Sequence, residues 1–154
     1  MKTIVLAASL AFAAVAPALA VEPHSHDAAA PVHELTLDHG GKWATDAPLR
    51  EGMSRIRAAL AGKHAAMKKG TLDDAGYAEL GDAIEKNVAS IVANCKLSPE
   101  ADANLHVVIA ELANAADAMR GAAPMTRIEG AQKAVNAVNL YGRYFDHPGW
   151  KPIA

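Results

Sequence analysis

The sequence predicts an all-α protein: an up-down-up-down antiparallel four-helix bundle, preceded by a signal peptide and a flexible histidine-bearing arm. Three observations carry that prediction. Four segments, each of about twenty residues, repeat apolar side chains at spacings of three and four. Each opens on a capping residue. The links between them are short, which makes consecutive helices antiparallel neighbours. No β alternation competes, apart from a short extended piece at HELTL, residues 33–37.

The N-terminus, MKTIVLAASLAFAAVAPALA, is read as a secretory signal spanning residues 1–20. Lys2 supplies the positive region, residues 4–16 are apolar except for Ser9, and Ala18-Leu19-Ala20 offers a small-residue cleavage site. The competing reading is a membrane anchor, for which the apolar run is short. Cleavage after Ala20 would leave a soluble exported chain, and a bacterial periplasm fits the lack of a cysteine framework. Residues 21–44 carry prolines, glycines and small residues with no sustained period. They read as an arm holding four of the seven histidines, His24, His26, His33 and His39. Such a tract either scavenges Cu(II), Ni(II) or Zn(II) or is a solvated tail. A tight amino-terminal copper motif is absent, because Pro23 would take the third mature position and has no amide proton to give up.

The remaining stretch, residues 45–154, reads as the bundle domain. Asp46 caps the first helix and Pro48 sits in its first turn. Met53, Ile56, Leu60, His64 and Met67 form its stripe, and Gly70 ends it. Thr71 with Asp74 resembles a capping box for the second helix. Tyr77, Leu80, Ile84, Val88, Ile91 and Cys95 share one face there. Ser98 and Pro99 open the third, whose stripe is Leu105, Ile109, Leu112, Ala116 and Met119. Thr126 caps the fourth, with Ile128, Ala131, Val135, Val138, Gly142 and Phe145 as its seam, and Pro148-Gly149 stop it. The following aromatic segment is expected to fold back over the open bundle end, near Trp43.

Without the signal the chain holds 14 Lys and Arg against 17 Asp and Glu. That balance argues against nucleic acid or anionic lipid as the main partner. Alanine is abundant and aromatics are few, a composition that favours close helix packing. No GxSxG, HExxH, P-loop or paired ExxH motif occurs, so catalysis is not expected.

The topology would gather one chemically interesting end. Counted from the caps, Met53 and His106 fall in nearly one layer, about 10–12 Å up, with Cys95 lower on the neighbouring helix. His147 arrives from the end of the fourth helix. Met53, Cys95, His106 and His147 are donors for a soft or borderline metal such as copper. Each also has a plain reading: Met and free Cys fill cores, His106 sits at an interface, and His147 caps helical carbonyls. At the other end His64, Met67, Met119 and Met125 make either a thioether-rich Cu(I) site or a flexible core end.

The segments GKWATDAPLREGMSRIR, IVANCKLSPEADANLHVVIAEL and NLYGRYFDHPGWK resemble a family of small exported proteobacterial proteins labelled DnrO-like, over most of residues 41–151. The topology is also similar to periplasmic four-helix cytochromes of the b and c-prime types. That resemblance implies haem held by a Met early in the first helix and a His late in the fourth. Met53 matches the first position, while His147 lies at or past the helix end. Covalent haem is disfavoured by the lack of CxxCH. The expectation is therefore a periplasmic metal-binding bundle, copper first, without catalysis. The alternatives are a cofactor-free interaction or structural module that docks a partner or a second copy, and a non-covalent b-type haem protein.

Overall fold

A computed structural model describes residues 34–154. The expected signal peptide and His24, His26 and His33 lie outside the described residues. Among the described residues four helices follow one another: α1 (Ala47–Lys69), α2 (Asp74–Asn94), α3 (Pro99–Arg120) and α4 (Arg127–Tyr144). Each packs on its neighbour in the chain, α4 returns beside α1, and only α2 and α4 touch across the diagonal. This is the antiparallel four-helix bundle. No described helix is long and apolar enough to cross a membrane.

The caps explain the boundaries. Asp46 accepts the Leu49 amide at 2.9 Å, Ser98 the Ala101 amide at 3.2 Å, and Thr126 forms a reciprocal capping box with Glu129. Gly70 and Gly121 end α1 and α3 in the left-handed conformation, with φ of 65° and 78°. The second helix starts differently from the sequence reading. Asp73 is its cap, accepting the Gly76 amide at 2.9 Å, and Thr71 instead closes α1 by donating its amide to the Ala66 carbonyl at 3.0 Å.

The core runs the length of the bundle through Leu49, Met53, Ile56, Leu60, Leu80, Ile84, Ile91, Leu105, Val108, Leu112 and Val138. Its α3–α4 seam is built from small residues. Gly130 lies so close to α3 that a Cβ there would meet the Ala115 carbonyl oxygen at 2.9 Å. Close backbone approach is what the alanine-rich composition permits. Ile128, expected on the α4 seam, is 62% exposed and lines the cleft beside His64 and Met67.

Both ends of the described chain depart from expectation. Residues 34–44, assigned by composition to a flexible arm, lie along the bundle. Trp43 donates its amide to the Tyr144 carbonyl and accepts from the Asp146 amide, both at 2.8 Å, pairing in parallel with Phe145. Farther up, the Asn104 side chain holds the Thr36 amide at 2.8 Å. The C-terminal segment does fold back, yet it runs beside α1 and α4 and does not cap the end. Asn139 bonds both the amide and the carbonyl of Ile153, at 2.8 and 2.9 Å, and Arg57 donates to the Lys151 carbonyl. This tail crosses where α1 and α4 approach each other least closely among the neighbouring pairs.

Candidate functional site

One end of the bundle brings together residues 34–46, the α2–α3 link, the start of α3 and the tail. Asp46 is its hub. One carboxylate oxygen caps α1 at Leu49, and the other accepts the Lys96 amide at 2.6 Å, tying the α2–α3 link to α1. Cys95 is the C-cap of α2, in extended conformation, half-buried against the core. Burial raises its thiol pKa, and the carboxylates of Asp46 and Asp102 raise it further. Thiolate formation is opposed at this position, the reverse of what a reactive or ligating cysteine needs.

The other expected ligands are dispersed. Met53 is fully buried in the hydrocarbon core. His106 stands on the outer face of α3, where Nδ1 pairs with its own helix, at the Asp102 carbonyl (2.9 Å) and carboxylate (3.4 Å). His147 does not cap helical carbonyls. Its Nδ1 bonds the Tyr141 hydroxyl at 3.0 Å and its Nε2 bonds Ser54 Oγ at 3.2 Å. Both ring nitrogens are thus engaged, and the Met53 thioether is packed away, so these two residues do not fit an axial pair for haem. Among the described residues, no three His, Cys, Asp or Glu side chains gather where they could share a metal ion. At the opposite end, His64 and Met67 line a shallow cleft of about 70 Å³ beside Tyr77, and Met119 is fully buried.

The chain Ser54–His147–Tyr141 was not legible beforehand. Tyr141 is fully buried, stacked on Phe145 at 5.2 Å and meeting the edge of Trp150 at 4.9 Å. Burial pushes its phenol far above the ordinary range, so it remains neutral. Burial lowers the His147 pKa, Arg50 lowers it further, and Asp146 acts in the opposite sense. Arg50 and Ser54 stand one turn apart on α1, a signal present in the sequence that gains meaning only once the tail is laid over it.

Two surface hollows flank this end. The larger, about 650 Å³, opens between residues 36–43 and the first turns of α3. Leu37, Trp43, Pro99 and Ala103 give it apolar walls, and Asp38, Glu100 and His39 bring polar groups. His39 holds a left-handed turn with φ of 47°, its side chain wholly exposed and 3.9 Å from the Asp38 carboxylate. The smaller, about 400 Å³, lies on the α1 face against His147. Comparison with protein-family models, with curated protein sequences and with solved structures finds no match to this chain.

Proposed function

We propose that the chain is an exported, cofactor-free interaction module without catalysis, and that it receives a segment of a partner protein in the hollow between residues 36–43 and α3. One observation supports this above the others. Leu37 is 44% exposed beside an apolar-walled hollow of about 650 Å³ that also holds the carboxylates of Asp38 and Glu100. An apolar side chain flanked by Lys or Arg matches such a surface, the apolar part supplying burial and the charges supplying register. The bundle serves as the rigid scaffold, and Asn104 and Trp43 fix the wall.

A photo-crosslinker at position 37 in exporting cells tests this. Capture of a discrete partner is expected, and Glu100→Lys should abolish it while Ile128→Asp, exposed at the start of α4 at the opposite end of the bundle, leaves it intact. Capture insensitive to Glu100→Lys overturns the reading. Mass analysis of the exported protein tests cleavage after Ala20 in the same material.

Copper capture is a second reading, favoured by His39. Its imidazole is wholly exposed on the wall of that hollow, downstream of His24, His26 and His33. Neutral imidazoles suit Cu(II). Replacing these four histidines by alanine should remove high-affinity Cu(II) uptake from the full exported chain. Unchanged uptake would exclude the segment.

A further inference from the structure

The tail crosses α1 so that a groove forms along the helix. One part, about 400 Å³, is lined by Arg50, Glu51, Ser54, Arg55, His147 and Pro148. The other, about 240 Å³, shares Ser54 and His147 and adds Arg57, Trp150 and Lys151. Shared walls make them one groove with the Ser54–His147 pair at its centre.

Its charge runs against that of the chain. Four cations, Arg50, Arg55, Arg57 and Lys151, line it against the single carboxylate of Glu51. Glu51 is taken up by Arg55 at 3.0 Å. Elsewhere partly buried guanidiniums are matched by acids: Arg120 contacts Asp82, Glu85 and Asp117, and Arg127 contacts Asp74. Arg50 and Arg57 have no carboxylate within 4.0 Å among the described residues. Arg50 donates to the carbonyl and hydroxyl oxygens of Thr45, and Arg57 donates to the Lys151 carbonyl beneath the Trp150 ring. Each donates to neutral oxygens, so no carboxylate in contact offsets its charge.

The central pair is set up to donate. When the buried Tyr141 phenol donates to Nδ1 of His147, the ring carries its proton on Nε2 and donates it to Ser54 Oγ. The Ser54 hydroxyl proton is then available to the groove, on a side chain that is itself exposed. Guanidinium forks beside a hydroxyl donor are the recognition chemistry of oxyanions. We propose that this groove is a binding site for a small oxyanion, a carboxylate or phosphate, held by Arg50, the Ser54 hydroxyl and the cations of the tail side. The site is independent of the partner hollow on the α3 side.

The test uses the full exported chain. Inorganic phosphate and succinate are titrated separately, with chloride as the control, while amide and indole resonances are followed by NMR. Saturable shifts at Ser54, His147 and the Trp150 indole are expected for one oxyanion at concentrations below about 10 mM, and the two titrations distinguish phosphate from carboxylate chemistry. Ser54→Ala, on an exposed hydroxyl, and Arg50→Gln should each weaken binding about tenfold. Arg50→Lys should restore part of the loss, because charge returns without the fork. Thermal melts of the variants separate lost binding from lost structure, and Ser54→Ala decides if Arg50→Gln does not fold. Shifts absent for both anions, equal to those with chloride, or unaffected by Ser54→Ala overturn the site.

Discussion

The Asn104 side chain reaches across 68 positions of sequence to hold the Thr36 amide on its Oδ1 at 2.8 Å. Asn104 is 3% exposed, and its amide nitrogen donates to the Glu100 carbonyl at 2.9 Å, so its orientation is fixed by its own helix. It is the point where the wall of the larger hollow joins α3. Asn104→Ala should release residues 34–41 while the Trp43 bonds to Tyr144 and Asp146 persist. The cost should be about 1 kcal/mol, since water can replace the lost partner at Thr36. Hydrogen exchange should speed up at Thr36 and remain slow at Trp43. Equal acceleration at both would mean that the segment docks as one unit through Trp43.

Gly142 and Gly62 should respond oppositely to alanine. Alanine in a helix interior is favoured over glycine by up to about 1 kcal/mol. At Gly62 a Cβ meets nothing within 4 Å, so Gly62→Ala should raise the melting temperature. At Gly142 it would clash with Nε1 of Trp150, a ring held against Tyr141 and His147. That nitrogen is buried and has no hydrogen-bond partner among the described residues. Gly142→Ala should lower stability by about 1–3 kcal/mol and expose Trp150 to quenchers. A melting temperature that rises in both variants would show that the tail yields freely.

What was legible in the sequence follows from what is local. Asp46, Ser98 with Pro99, and Thr126 announce helix starts because a cap needs only its own next turn. Leu105, Leu112, Ile84 and Ile91 announce the core by period. Thr71 misled because two aspartates follow it, and the first of them, Asp73, captures the Gly76 amide and caps the helix instead. Residues 34–44 were illegible because what holds them, the Thr36 bond to Asn104, the Trp43 backbone pairing and the packing of Leu35 and Trp43 on the core, has no period. The same limit applied at the site. Met53, Cys95 and His106 fall at one end by helical arithmetic, yet rotation about each helix axis sends Met53 inward and His106 to solvent. His147 meets Ser54 and Tyr141 after the chain leaves α4 in extended conformation at Phe145, which no helical count contains.

The pH response of the tail has a defined sign. Burial and Arg50 hold the His147 pKa below its ordinary value of 6.5. The unfolded chain therefore takes up a proton at a pH where the folded chain has not, and acidification favours unfolding. Its contribution is present above about pH 6.5 and is lost as pH falls from there toward the folded pKa, below which it changes no further. Thermal melts between about pH 7 and pH 5 should show a steeper fall for the wild-type protein than for His147→Gln. Parallel curves would mean that the imidazole is as well solvated folded as unfolded.

Cys95 supplies the last prediction, and two variants decide it. Burial and the carboxylates of Asp46 and Asp102 raise its pKa, so the group stays a thiol at neutral pH. Iodoacetamide attacks through the thiolate, and alkylation of the folded chain at about pH 8 should be slower than that of the unfolded chain. Asp102→Asn removes one of the two charges from a side chain that caps no helix and pairs only with the exposed His106, so the fold should survive and alkylation should accelerate. Cys95→Ser places a hydroxyl where a half-buried thiol packs against the core, at a cost of about 1 kcal/mol. Cu(I) affinity should be unchanged in this variant, because Cys95, His106 and His147 do not converge on one point. A tenfold or greater loss of Cu(I) binding, or a thiol that alkylates as fast folded as unfolded, would restore Cys95 as a ligand. Non-reducing gels of the wild-type protein give the remaining outcome, since an intermolecular disulfide would show as a dimer that Cys95→Ser lacks.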